Sequence, residues 1–308
     1  MRDPSIMASA EQTKGVWYTV LAYVIWSFFP IYWKFLSGIS PLQLTCHRIV
    51  WSCLVLLLFI ARSKEWSTLR AAVRSPRVVG IYAAAAITIA ANWLIFVWAV
   101  GVGQIVQTSL GYFINPLLSV VLGVMFFRER LRPLQWVSVA LAAAGVLYLT
   151  IALGAPPWIA LSLAASFGAY GLMKKIAPLG AVQGLALESS ILFLPAAAYL
   201  ISAELTGTGA LLHSGALRDA LMFGAGPVTT LPLLLFAAGV RRIPLSLVGI
   251  IQYINPTMQI LIAVFLYHEP FTRVQLVGFG MVWAALVTFA VDGYLTHRWP
   301  QLGVTDLT

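Results

Sequence analysis

Two charged residues stand inside stretches that are otherwise apolar, and they carry the chemistry of this sequence. Arg48 follows Leu44-Thr45-Cys46-His47 and precedes a run from Ile49 to Ile60 with no charge. Glu188 lies in the apolar stretch 181–203, and of the ten acidic residues it alone falls inside such a run. The two are 140 positions apart, and that spacing recurs through the chain. An unpaired guanidinium in hydrocarbon costs at least about 2.5 kcal/mol, so Arg48 needs a compensating group. One account has it snorkel outward or hold backbone carbonyls; the other gives it an anion or carboxylate in a central cavity. A membrane carboxyl without a partner holds its proton more tightly, which makes Glu188 a candidate for proton coupling or for holding a positive group. Its structural alternatives are a bond to Arg48 or to the hydroxyl of Thr229 or Thr230. His47 is a second proton-carrier candidate, pointing about 100° away from Arg48 on a helix.

Around these two charges lies a set of polar and aromatic residues in apolar surroundings: Asn92 and Trp93, Tyr112 and Asn115, Tyr253 and Asn255. Buried amides must find partners, either across a helix interface or along a wet cavity; as a set with the aromatic rings, these six read as a substrate lining. Pro116 and Pro256 each remove a helical donor, freeing the carbonyls of Tyr112 and Gln252, and serve as hinges or as simple bends. Glu129 and Glu269 close two apolar runs, as boundary residues or as gate latches. Nearby cations are Arg128, Arg130 and Arg132 for the first and Arg273 for the second.

The elements that position these residues follow from composition. A hydrophobic fraction of 60% with 9% charged residues, and a mean hydropathy of +0.90, lie far from the usage of soluble domains. A helix crosses the hydrocarbon layer with about 20 apolar residues. Ten windows of that kind can be cut, at 15–37, 42–61, 78–100, 104–127, 133–152, 157–176, 181–203, 219–240, 245–267 and 272–294. The expected fold is therefore an all-α membrane protein of ten transmembrane helices.

Ile114-Asn115-Pro116 returns as Ile254-Asn255-Pro256, and the same offset pairs Lys34 with Lys174, Phe96 with Phe236, Glu129 with Glu269 and Gln135 with Gln275. A constant offset across several apolar segments argues for duplication. The expected organisation is a tail at 1–14, a first five-helix repeat at 15–152, a second at 157–294 and a tail at 295–308. An odd number of crossings per repeat inverts the second, the architecture of many secondary transporters, whose substrate site sits near the midplane between halves. Inversion would set Arg48 toward the outside and Glu188 toward the inside, which argues against a direct pair.

The net charge of +9 is not spread evenly. With the N-terminus inside, fifteen cations flank inner ends, including Lys174 and Lys175, against only Arg218 and Arg273 outside. That asymmetry puts both termini in the cytoplasm and argues against a nucleic-acid surface. The sequence has no Gly-x-x-x-x-Gly-Lys-Ser/Thr loop and no His-Glu-x-x-His, and its two cysteines, 46 and 53, have no metal-ligand spacing. Neither an enzyme nor a cofactor is expected.

Four motifs together, Thr45-Cys46-His47-Arg48, Asn92-Trp93-Leu94-Ile95-Phe96-Val97-Trp98-Ala99-Val100, Ser109-Leu110-Gly111-Tyr112-Phe113-Ile114-Asn115-Pro116 and Glu129-Arg130, resemble the RarD proteins of the EamA group in the drug/metabolite transporter superfamily. The resemblance covers roughly residues 15 to 294. One departure is Cys46, where the motif usually has a threonine before His-Arg. The resemblance implies a bacterial inner-membrane permease of two inverted EamA repeats, in a group linked to chloramphenicol sensitivity and related to amino-acid exporters. The expectation is a secondary exporter of small amino-acid-like or drug-like metabolites, in contact with membrane lipid and coupled to protons. A flippase for lipid-linked precursors and a non-transporting scaffold or sensor are the alternatives.

Overall fold

The computed structural model describes residues 4–63, 66–101, 105–154, 158–268 and 272–298, and every regular element in them is helical. The first apolar window is a helix broken once, α1 (Pro4–Ser27) and α2 (Phe29–Phe35). Pro30 sits in the first turn of α2, where its missing N–H costs nothing. After α3 (Pro41–Ser63), the basic segment that follows forms the short helix α4 (Trp66–Val73), which buries Leu69 and Ala72. The first half continues with α5 (Pro76–Gly101), α6 (Ile105–Phe127) and α7 (Pro133–Leu153). The second half comprises α8 (Trp158–Ile176), α9 (Ala181–Leu205), α10 (Ala216–Val240), α11 (Leu245–Gln252), α12 (Ile254–Leu261) with a π turn at Ile262–Leu266, and α13 (Arg273–Arg298).

Eight stretches among the described residues are long and apolar enough to cross a membrane, and Gly111–Phe127 is a shorter apolar helix. The windows at 104–127 and 157–176 hold α6 and α8, the latter 19 residues long.

The two Ile-Asn-Pro motifs differ in outcome. Pro116 lies inside α6, which continues through it. The second motif interrupts its window at Tyr253, three residues before Pro256, and separates α11 from α12. In both, the proline withdraws one donor from the preceding turn. Around Pro116 the backbone is closely covered: a side chain at Gly249 would collide with the Pro116 carbonyl, so α6 and α11 cross at a position that only glycine allows.

The halves are interleaved rather than docked as two blocks. The main packed pairs are α7 on α13, α6 on α8, α3 on α9 and α10, α6 on α11, α1 on α10 and α5 on α8. The largest apolar cluster draws Tyr23, Leu56, Tyr82, Tyr170, Leu185, Phe236 and Val248 from seven different helices. A second, around Phe113, Val146, Tyr253 and Phe279, ties α6 to α7, α11 and α13. Side chains on the crossing of α3, α9 and α10 are therefore held from three directions, and both internal charges lie there.

Candidate functional site

Arg48 projects from α3 between α9 and α10. Its Nε–H donates to Thr229 Oγ1 on α10 at 3.0 Å. Aromatic rings surround the guanidinium, with Trp93 at 4.5 Å, Trp33 at 5.1 Å and Phe29 at 6.0 Å from its carbon. Guanidinium over aromatic faces is favourable and leaves the donors in the plane available. Among the described residues no carboxylate lies within ion-pair distance of Arg48. Thr229, considered from the sequence as a partner for Glu188, serves the arginine instead.

Glu188 is deeply buried on α9 and is not solitary. Lys174 Nζ on α8 donates to Oε1 at 2.8 Å, and Tyr170 Oη donates to Oε2 at 3.1 Å. Lys174 is itself 2% exposed. Lys174 stands in the last turn of α8, as the sequence reading had it at a helix end, and its side chain turns into the bundle. The signal was present in the spacing. Glu188 lies about 10 Å up α9 from its start and Lys174 about 3 Å from the end of α8, at 1.5 Å per residue. The difference is within reach of a lysine stem, which leans toward the N-terminus of its helix.

Arg48 and Glu188 do not bond each other, yet both line one small cavity, with Ser52, Trp93, Tyr170, Ser189 and Thr229 among its walls. Its interior is about 30 Å³, room for one or two water molecules. In this conformation the chamber is closed to a metabolite.

The rest of the expected lining is dispersed. Trp93 is in the chamber wall. Asn92, the next residue, turns away and donates from Nδ2 to the Leu163 carbonyl and to Ser166 Oγ, both at 2.9 Å, bracing α5 on α8. Tyr112 meets Phe96 at a ring distance of 6.2 Å. Tyr253 is wholly buried in the second apolar cluster and donates to the Phe113 carbonyl at 3.3 Å. Asn255 Oδ1 accepts from Gln259 at 3.1 Å. Asn115 is buried, and among the described residues its Oδ1 has no partner; the same holds for the buried Nδ1 of His47 and Oε1 of Gln252.

Glu129 makes a cross-half contact at the end of the bundle with basic loops. Its Oε1 accepts from the backbone N–H of Leu245 at 2.7 Å and its Oε2 from Ser246 at 2.9 Å, the first two residues of α11. A carboxylate on a helix N-terminus satisfies free donors and meets the positive end of the dipole. The nearby cation is Lys175, 3.7 Å away, which also donates to the Ile243 carbonyl at 2.7 Å. Of the neighbouring arginines proposed from sequence, Arg132 is drawn to Asp292 at 2.5 Å. Glu269 lies outside the described residues.

A broken-helix bundle with charges at its centre and a helix end latched across its halves defines a multi-pass membrane transporter, and comparison agrees. The EamA-like transporter family model matches residues 13–151. The chain is 43% identical to "Uncharacterized transporter YojE" of Bacillus subtilis, covering 92% of this chain and 95% of that protein. It is 40% identical to "Protein RarD" of Streptomyces exfoliatus, over 94% and 92% of the two chains. With "Protein RarD" of Escherichia coli the identity is 38%, over 94% and 98%. A crystal structure superposes with a TM-score of 0.68 at 15% identity, over 91% of this chain and 98% of the other, which speaks to the fold alone. The chain belongs to the EamA-like transporter family, as a RarD-like member.

Proposed function

We propose that the chain is a secondary exporter of small amino-acid-like or drug-like metabolites in the bacterial inner membrane, working by alternating access between two inverted five-helix repeats, 15–152 and 157–294. The observation that carries this reading is the shared chamber: Arg48 and Glu188, which occupy one register in the two repeats, line one cavity where the halves meet. Arg48 anchors a negative group of the substrate, and Glu188 exchanges a proton, with His47 as the second proton-carrier candidate. Asn92, Trp93, Tyr112, Asn115, Tyr253 and Asn255 belong to the path in states more open than this one.

The packing supports a two-fold relation between the halves, and five crossings in each half would make that relation an inversion. Exchanging each helix of the first half with its counterpart 140 residues on turns α6 on α8 into α11–α12 on α1, α3 on α10 into α9 on α5, and α1 on α10 into α8 on α5. All are packed pairs. The pairs α7–α13, α3–α9 and α6–α11 map onto themselves. Such a pattern is what a two-fold axis between halves produces.

Two features favour a moving structure. Buried polar atoms without partners, on Asn115, His47 and Gln252, are costly and find relief in a wetter state. The contact of Glu129 with α11 ties the halves together at the inner end, so opening there must release it; Pro116 and Pro256 are the hinge candidates. Glu269, at the equivalent register, is assigned the opposite gate from the repeat alone.

Reconstitution into liposomes with both termini facing the lumen, loaded with a cell metabolite extract, tests the reading. Export-competent protein depletes specific solutes, and Arg48→Gln or Glu188→Gln lowers that flux by at least about tenfold, 1.4 kcal/mol in barrier, with the protein still folded. Flux that is equal in wild type and both variants sinks it.

A further inference from the structure

Charge in the chamber can be counted, and the count narrows the substrate. Both oxygens of Glu188 are engaged, Oε1 by Lys174 and Oε2 by Tyr170. The Lys174–Glu188 pair is therefore electrically closed, and neither member offers a free charge to a ligand. Arg48 has no such counterpart. Among the described residues, Nε–H alone of its five N–H donors has a protein acceptor, Thr229, so the two terminal nitrogens keep four donors in the planar fork that suits an oxyanion. Two cations against one carboxylate leave the site with one net positive charge, between the rings of Trp33 and Trp93.

We propose that this chamber selects organic oxyanions that carry no ammonium group, gripped at two points by the terminal nitrogens of Arg48 with their apolar body against Trp33 and Trp93. The proposal rests on the transport reading and sharpens its substrate class: among amino-acid-like solutes it admits those whose amine has been removed or acylated. An ammonium would enter beside an arginine with no carboxylate left to receive it, and specificity follows from that unmet charge as much as from the anion's own contacts. A zwitterion gains the Arg48 contact but buries its ammonium without a partner. A carboxylate and a phosphate monoester share the required fork geometry, and both belong to the class.

A matched phenyl series decides the matter by titration calorimetry on purified full-length protein: phenylacetate, phenyl phosphate, phenethylamine and phenylalanine. The wild type is expected to bind at least one of the two anions at least about tenfold more tightly than either the amine or the zwitterion. The tighter of the two names the carboxylate or the phosphate as the preferred group. Arg48→Gln is expected to reduce the preference to within about twofold. Arg48→Lys keeps the charge without the fork, so it preserves preference over the amine while weakening both anions. Amine or zwitterion binding equal to the anions in wild type overturns the proposal. Silence from both anions at millimolar concentration overturns it too, and so does an anion preference that survives Arg48→Gln. Selective anion binding without flux in liposomes refutes transport and leaves the selectivity assignment standing, so the two failures are separable.

Discussion

Lys34 and Arg48 in the first half occupy the same register as Lys174 and Glu188 in the second, fourteen residues apart in each case. In the second half the signs are opposite, and the side chains meet at 2.8 Å inside the bundle. In the first half both are positive and they part. Lys34 stays at the surface over the Tyr267 ring at 3.7 Å, while Arg48 turns inward to Thr229 and Trp93. At the shared offset of 140 residues, a carboxylate is neutralised by a buried lysine, whereas a guanidinium has no carboxylate partner among the described residues and keeps donors free for a ligand.

The comparison can be broken most directly at Lys174. Lys174→Met leaves Glu188 buried without its cation, and a loss of about 3–5 kcal/mol is expected in denaturant unfolding of the detergent-solubilised protein. Adding Glu188→Met should recover most of that stability, because two neutral side chains carry no unmet charge. A loss below 1 kcal/mol in the single variant would mean the pair is not what holds α8 on α9 there.

A smaller effect is expected at the cross-half latch. Glu129→Gln removes the charge from two hydrogen bonds to the start of α11 and should weaken the contact by about 1 kcal/mol. On a Ser246→Cys background, labelling by a membrane-impermeant maleimide from the face of the basic loops should then quicken. Unchanged labelling would assign Glu129 to a static boundary. Asn92→Leu, which cuts the α5–α8 bonds to Leu163 and Ser166, should cost about 0.6 kcal/mol, the usual scale for polar contacts between membrane helices. The least is expected at Lys34. Lys34→Met should cost no more than about 0.5 kcal/mol, since an exposed cation over a ring contributes at the low end of the cation–π scale. A cost matching that of Lys174→Met would erase the distinction between the halves.

Much of the architecture was legible beforehand, because hydropathy and period are properties of the chain in one dimension. The apolar windows, the basic loops and the offset linking Ile114-Asn115-Pro116 to Ile254-Asn255-Pro256 needed no coordinates. The lining read less well. Asn92 and Trp93 are neighbours in sequence, but a helix turns them about 100° apart, so one braces α8 while the other faces Arg48. Tyr253, counted as lining, is packed in an apolar cluster in this conformation because α6, α7 and α13 close over it. Glu188 looked solitary because Lys174 sits at the end of its own helix, and only the hairpin of α8 and α9 brings the two to one depth.

The sequence by itself determined that this chain is built of apolar helices, with one cation and one anion 140 positions apart inside them. It did so because burial in lipid constrains composition residue by residue. The tertiary structure alone decided which charge is neutralised. Coulomb energy in a medium of low polarity depends on a few ångströms of separation, and that separation is fixed by how helices distant in the chain are packed.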